Sequence, residues 1–250
     1  MRGKPSARAS FNHGKAGRPF LCAGLFLVAV AWLWAAAAPR ASWADTAART
    51  YFEPQSLPPQ LLPPPPAEGS GAWKAQIEAV RAAQRSLPPA EISAIRHEQN
   101  FLVALMTDTL EPSFSRERLP RTAALLDRVE CTTEQVVDAH KRYWHTRRPY
   151  LADPRIRLCV DSTATAAYPS GHTAESRVLA EVLGMLFPDQ LPRLRARAED
   201  VARHRIEAGV HYPVDIEGGR SLALLVVGAL TANSDFQTDM QAAREELAGR

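Results

Sequence analysis

The stretch YPSGHT at residues 168–173 decides the fold of this chain, because a turn-forming run leads there directly into a helical pattern. After the turn, apolar residues recur at helical spacing: Val178, Leu179, Val182, Leu183 and Leu186. A helix that begins at such a turn directs free backbone N–H groups toward the space before it, and these groups attract an anion. The stretch therefore predicts an anion-binding helix start, with phosphate as the expected anion.

Polar residues flank this stretch on both sides at defined spacing. Upstream, Lys141 is followed by six residues and then by Arg148 and Pro149. Downstream, the sequence reads His-Arg-x5-His-x3-Asp from residue 204 to residue 215. The spacing distinguishes this set from a chance accumulation of charges, although the basic residues near Lys141 alone would fit a solvated helix end.

The three motifs together resemble the signature of the type 2 phosphatidic acid phosphatase superfamily, which reads Lys-x6-Arg-Pro, Pro-Ser-Gly-His and Ser-Arg-x5-His-x3-Asp. The Pro-rich N-terminal region, the LPPPPAE run at residues 62–68 and Phe236-Gln237 look most like the class A bacterial non-specific acid phosphatases, which are secreted. His204 departs from the signature, since the family has Ser there. The resemblance implies an all-α fold, a single-domain helical bundle of the type 2 phosphatidic acid phosphatase and haloperoxidase type.

The composition favours helices as well. Apolar residues make up 46% of the chain and aromatic residues only 7%, and runs of β-branched residues are few. We predict helices over residues 72–85, 90–110, 119–143, 172–187, 191–209, 213–230 and 235–248. Pro149 is expected to end helical geometry after the third of these.

Phosphoryl transfer requires that charge on the phosphate oxygens be neutralised. The sequence has no acidic cluster suited to metal ions, so we expect no metal and no cofactor, with Lys141, Arg148 and Arg205 as the neutralising cations. Arginine makes forked contacts to phosphate and lysine acts as a point charge. The Ser170 hydroxyl and the Gly171 N–H are the expected neutral donors.

The two histidines of the motifs are expected to divide the catalytic work. Asp215 follows His211 by four residues and is placed to fix its tautomer, so that the other ring nitrogen is free to act as a nucleophile. His172 is the expected general acid. The family resemblance implies a phosphohistidine at His211.

His204 is expected to join the phosphate-binding group as a further cation. If the backbone is helical from 204 to 211, the separation of seven residues places the two histidines on one face. The alternative is that His204 turns aside and packs.

The N-terminal region has the layout of a secretory signal peptide. Residues 1–19 are basic, residues 20–38 are apolar, and a small-x-small site ends at Ala44. We predict a signal peptide at 1–44, a Pro-rich arm at 45–71 and a helical acid phosphatase domain at 72–250. The protein is then periplasmic or secreted, with an uncleaved membrane anchor as the less favoured alternative.

Export allows Cys131 and Cys159 to pair, so we predict a disulfide between them; two buried free thiols are the alternative. Six of the 30 Lys and Arg residues lie within the first 44 positions, where no Asp or Glu occurs. The remaining chain therefore has no broad basic surface for nucleic acid. The expected partners are small phosphomonoester substrates, with no membrane contact after leader cleavage, and a homo-oligomer is left open.

The function that this sequence favours is a secreted or periplasmic acid phosphatase that hydrolyses phosphomonoesters without metal. One alternative is a vanadium-dependent haloperoxidase, which shares the anion-binding residues. The other is a degenerate, non-catalytic phosphate-binding protein, which the departure at His204 would suit. A non-catalytic binder would need the cations but neither His211 nor His172, so the presence of both favours the enzyme.

Overall fold

Helices form the regular structure of this protein. The structure, a computed structural model, describes residues 50–98, 102–110 and 114–249. The α-helices within those ranges are α1 (Gly71–Gln84), α2 (Pro89–His97), α3 (Leu102–Thr107), α4 (Pro120–Trp144), α5 (Pro149–Ala152), α6 (Gly171–Leu186), α7 (Leu191–Glu207), α8 (Pro213–Ala232) and α9 (Ser234–Ala248). Those ranges contain no strand, so the all-α prediction is confirmed. The predicted signal peptide lies outside the described residues.

Local sequence signals set the helix boundaries. The Ser70 hydroxyl accepts a hydrogen bond from the Trp73 amide and caps α1, and the side chain of Asn233 caps α9 in the same way. Helices α2, α4, α5, α7 and α8 each have a proline in their first turn, where the missing N–H is not needed. In the described ranges, no helix is both long and apolar enough to cross a membrane.

Two boundary predictions require correction. The region predicted as one helix over 90–110 contains α2 and α3 as separate helices, with residues 99–101 undescribed between them. Helix α4 ends at Trp144, one residue beyond its predicted end, and His145 after it adopts a left-handed conformation with φ of 51°. Pro149 does not stop a helix there but begins the short helix α5, because its fixed φ suits a first helical position.

Helix α6, which begins at the YPSGHT stretch, lies at the centre of the bundle. It packs against α3, α4, α7 and α8. Its buried residues occur on more than one face and include Val178, Leu179, Val182 and Leu183. A helix with apolar residues on several faces must be surrounded by other helices.

The proline-rich segment before α1 lies against the helices. Its residues Tyr51, Leu57 and Leu62 are buried in the same hydrophobic core as α6. The Tyr51 hydroxyl donates to Asp239 of α9 at 2.8 Å, and the Arg128 guanidinium of α4 lies 4.0 Å from the centre of the Tyr51 ring. Tyr51 therefore fixes the start of this segment to α4 and α9, and Leu57 and Leu62 hold the rest of it in the core.

The predicted disulfide is absent, and both cysteines are free. Cys131 is half-buried on α4 with its sulfur 3.6 Å from Nε2 of Gln135. Cys159 is buried against the end of α7, where its backbone N–H donates to Ala208 and its thiol faces the carbonyl oxygen of Glu207. The two sulfurs have different neighbours, so the pairing prediction is wrong.

Helix α8 approaches the YPSGHT stretch closely at two glycines. A Cβ at Gly218 would lie 2.4 Å from the Tyr168 ring, and a Cβ at Gly219 would lie 2.7 Å from the backbone oxygen of Ser170. Glycine at these positions therefore allows the start of α6 to rest on α8. A Cβ at Gly228, farther along the same helix, would meet nothing within 4 Å.

We expect Gly219→Ala to lower the free energy of unfolding by about 1–3 kcal/mol, because the added methyl group pushes backbone away from backbone. Gly228→Ala is the matched control and should raise stability by about 0.5–1 kcal/mol, since alanine is the better helix former. Urea denaturation of the three proteins measures both changes. Equal stabilities of Gly219→Ala and Gly228→Ala would contradict the close approach.

Candidate active site

The start of α6 is fixed by Ser170, which is fully buried. Its hydroxyl oxygen accepts from the Thr173 hydroxyl at 2.9 Å and from the Thr173 amide at 3.4 Å. Its own amide donates to the backbone oxygen of Asp215 at 3.0 Å. None of these bonds uses the Ser170 hydroxyl hydrogen, so this group can still donate to an anion.

Lys141 lies beside the first residue of α6. A Cβ at Gly171 would lie 3.3 Å from Nζ of Lys141, so glycine leaves space for the ammonium group next to the helix start. Burial lowers the pKa of Lys141, and the nearby positive charge of Arg148 lowers it further. The structure thus places a desolvated cation at the positive end of a helix.

Arg148 is buried and bonded in several directions. Nε and Nη2 donate to the backbone oxygens of Thr165 and Ala166, and Nη1 donates to that of Val210, each at 3.0 Å. Nη1 also lies 3.0 Å from Nε2 of His211. These contacts connect the loop before α6 to the segment before α8 and hold the guanidinium against the histidine ring.

Arg205 comes from the last turn of α7 and is only 2% exposed. Its Nη2 donates to the backbone oxygen of Ile95 at 3.2 Å and lies 3.8 Å from Glu98. Its Nε has no hydrogen-bond partner among the described residues. Burial lowers the pKa of Arg205 to about 10, a shift that Arg148 reinforces. A buried guanidinium with an unused donor is suited to receive an anion.

His211 and Asp215 form the polar centre of the site. Nδ1 of His211 lies 3.2 Å from Oδ2 of Asp215, which also accepts from the Tyr212 amide at 2.8 Å. A carboxylate partner assigns the ring proton to Nδ1 and leaves the lone pair on Nε2, where Arg148 donates to it. The ring is thereby held in one tautomer.

Burial sets the charge states of this pair. Burial lowers the pKa of His211 well below its usual value, and the charges of Arg148, Lys141, His172 and Arg205 lower it further. His211 is therefore neutral at ordinary pH. Burial raises the pKa of Asp215 to about 7, against the opposing effects of the Tyr212 amide, Arg148 and Lys141.

The residues of the three sequence motifs thus converge around His211. Lys141, Arg148, His172 and Arg205 all act electrostatically on its ring, although they come from α4, the residue before α5, α6 and α7. His172 is half-buried as the second residue of α6. Ser170 is joined to these residues by the hydrogen bond from its amide to the backbone oxygen of Asp215.

His204 does not belong to this group, which corrects the predicted phosphate contact. Its Nδ1 lies 2.6 Å from Glu98 and its Nε2 lies 3.0 Å from Glu91, so both ring nitrogens face carboxylates. The spacing rule fails because α7 ends at Glu207 and the chain turns at Gly209, where φ is 77°. His204 and His211 therefore do not share a helix face.

The sequence does not predict the buried position of Glu98. Beside His97 it resembles half of a surface pair, yet it is only 1% exposed. It contacts His204, Arg197 and Arg205, and in this way connects the end of α2 to the last turns of α7. The only sequence signal is that His204 replaces the family serine.

One group of three residues in the described ranges brings possible metal ligands together: Glu91, His204 and Glu207. The guanidinium of Arg203 lies among them and bonds to Glu91 at 2.8 Å and Glu207 at 2.7 Å. The cluster is thus an ion-pair network that joins α2 to α7. It contributes to the fold by holding these two helices together.

We expect His204→Ser to lower the free energy of unfolding by about 1–3 kcal/mol at acidic pH. Burial and the charge of Arg203 lower the pKa of His204, but the hydrogen bonds to Glu98 and Glu91 and the charge of Glu98 outweigh them, so the net shift is upward. A raised folded-state pKa gives stability that is present below the unfolded value of about 6.5 and is lost as pH rises through the folded value.

Urea denaturation as a function of pH measures this difference, which should shrink toward alkaline pH. His97→Ser is the control, because His97 is exposed on α2 and its replacement should change stability by less than about 0.5 kcal/mol. A stability loss in His204→Ser that does not vary with pH would contradict the charged contact with Glu98 and Glu91.

The geometry defines an all-α protein in which buried cations surround the start of the central helix. Residues 129–239 match the model of the PAP2 superfamily. An acid phosphatase from Zymomonas mobilis is 30% identical over 135 residues, which cover 52% of this chain and 51% of that protein. A non-specific acid phosphatase from Salmonella typhi is 25% identical over 197 residues, which cover 74% of this chain and 78% of that protein.

A solved structure described as the first bacterial vanadium-dependent iodoperoxidase is similar with a TM-score of 0.56 at 16% identity, covering 70% of this chain and 52% of that chain. This likeness shows a shared fold. Residues 129–239 are thus similar to the PAP2 superfamily, and the chain is similar in sequence to bacterial acid phosphatases. It spans about half the length of the Zymomonas relative that it matches.

Proposed function

We propose that this protein is an acid phosphatase that hydrolyses phosphomonoesters through a phosphohistidine at His211. The observation that carries the proposal is the neutral, buried His211, held by Asp215 and surrounded by four basic residues. A simple anion binder has no use for a histidine in a fixed tautomer with its lone pair toward the cations. The similarity to two named acid phosphatases supports the same reaction.

In the first step, the phosphate group of the substrate binds among Lys141, Arg148 and Arg205. The unused Nε–H of Arg205 receives one phosphate oxygen, and the helix start supplies backbone N–H donors. Arg148 gives up its contact with Nε2 of His211 and donates to phosphate instead, which frees the lone pair. Nε2 then attacks phosphorus in line with the leaving oxygen.

As the N–P bond forms, the P–O bond to the leaving group breaks, and protonated His172 transfers its proton to the departing oxygen. Asp215 holds the Nδ1 proton and stabilises the positive charge that develops on the ring. In the second step His172 removes a proton from water, whose oxygen attacks phosphorus. The N–P bond breaks, inorganic phosphate leaves, and His211 returns to its neutral state.

Cations and donors of the chain replace the metal ions that many phosphatases use, so we propose that turnover needs no added metal. The signal-peptide layout of residues 1–44 supports a secreted or periplasmic location. The similarity to acid phosphatases supports small phosphomonoesters as substrates.

The purified protein should hydrolyse p-nitrophenyl phosphate equally well with and without EDTA, because Lys141, Arg148 and Arg205 neutralise the phosphate. Release of p-nitrophenolate measures the rate, and dialysed enzyme with added zinc or magnesium is the control. Loss of activity in EDTA that either metal restores would disprove the metal-free mechanism. The absence of turnover under all these conditions would disprove the proposal that the protein is a phosphatase.

His211→Ala should abolish a phosphoenzyme that is trapped by acid quench, since no other group replaces the nucleophile. His172→Ala should lose about 10²–10⁴-fold in kcat with an alkyl phosphate but less with p-nitrophenyl phosphate, whose leaving group needs little protonation. Rapid-quench assays on both substrates measure the two effects. Equal losses on both substrates in His172→Ala would exclude this residue as the acid that protonates the leaving group.

A further inference from the structure

Glu175 is a carboxylate beside the anion site that the proposed reaction does not use. It lies on α6 one turn after Gly171 and is half-buried. A Cβ at Gly171 would lie 3.2 Å from Oε1 of Glu175 and 3.3 Å from Nζ of Lys141. The carboxylate and the ammonium group therefore flank the same small space at the helix start.

The other charged groups around Glu175 are mainly acidic and come from α4. Glu130, Glu134 and Asp138 occur at intervals of four residues, so they share one face of that helix. Burial raises the pKa of Glu175 to about 7; Lys141 opposes this shift, and Glu130, Glu134 and Asp138 reinforce it. On α6 itself, His172 lies three residues before Glu175.

Lys141 is thus the cation available both to Glu175 and to a phosphate at the helix start. Its ammonium group is attracted by Glu175, Asp138 and Asp215 and is repelled by Arg148. Two anions that share one desolvated cation weaken each other, because like charges at short range disfavour a second ionised group.

We propose that Glu175 competes with phosphate for Lys141, so that the protonation of Glu175 sets the pH range over which the site accepts its substrate. This inference rests on the proposed function and adds a specificity-determining residue to it. Ionised Glu175 engages Lys141 and repels the phosphate group. When Glu175 is neutral, the positive charge of Lys141 is available to bind the phosphate group of the substrate.

The direction of the pH effect follows from these charges. Phosphate affinity should be highest where Glu175 is neutral and should fall as pH rises through about 7. Linkage requires the reverse effect as well: a bound anion favours the neutral carboxyl, so binding near that pH draws a proton from solution. A purely structural carboxylate would show neither behaviour.

The experiment compares anion binding to the full protein, Glu175→Gln and Glu134→Gln by isothermal titration calorimetry. The probes are inorganic phosphate and sulfate; sulfate keeps its charge throughout the working range, so its own titration does not contribute. Glu134→Gln is the matched control, because it removes an exposed negative charge from the same acidic surface without touching the space beside Gly171.

At about pH 8 we expect Glu175→Gln to bind sulfate roughly 5- to 20-fold more tightly than the native protein, and at about pH 5.5 to bind it equally. Glu134→Gln should stay within about twofold of the native protein at both values. Titrations in buffers of different ionisation enthalpy should show proton uptake near pH 7 in the native protein that is smaller in Glu175→Gln. Since the pKa of Asp215 is also about 7, the difference between the two proteins is what assigns the proton uptake to Glu175.

Superimposable pH profiles of affinity for the native protein and Glu175→Gln would overturn the inference, and so would equal effects of Glu134→Gln and Glu175→Gln. In both cases turnover of p-nitrophenyl phosphate would persist and the proposed function would stand. If neither anion binds at any pH and no turnover occurs, the proposed function fails together with the inference.

Discussion

The hydrogen bond from the Ser170 amide to the backbone oxygen of Asp215, 3.0 Å long, joins the two motifs that build the site. Asp215 uses its backbone to fix the start of α6 and its carboxylate to fix His211 and the Tyr212 amide. Gly219 allows the close approach on which this bond depends, since a side chain there would meet Ser170. Asp215 of α8 therefore fixes the start of α6 relative to the His211 ring.

A buried group of positive charges lies around this hydrogen bond. Lys141, Arg148 and Arg205 are all desolvated there, and burial is the largest cause of the lowered pKa of each. Such a group of cations is unfavourable until an anion neutralises it. The few carboxylates nearby have distinct tasks: Asp215 orients His211, Glu98 lies near Arg205, and Glu175 lies near Lys141.

Much of this arrangement could be predicted from the sequence, and the failures have specific causes. Helical periodicity located most helices because it depends on neighbours three and four residues apart. The prediction that Pro149 ends helical geometry was wrong, because the fixed φ of proline also suits the first position of a new helix. The contact between Glu98 and His204 joins residues 106 positions apart, and no local pattern reports it. The disulfide prediction failed for the same reason, because the positions of two cysteines in the sequence do not give their separation in space.

The Tyr51 contacts near the N-terminal end of the described chain have a topological consequence. Tyr51 bonds to Asp239 across 188 positions and stacks edge to face on Phe236, so the first and last packed segments meet in one core. A chain that is made or threaded from its N-terminus cannot close this core until α9 arrives. The closure of this core between Tyr51 and α9 is therefore a late step of folding during synthesis.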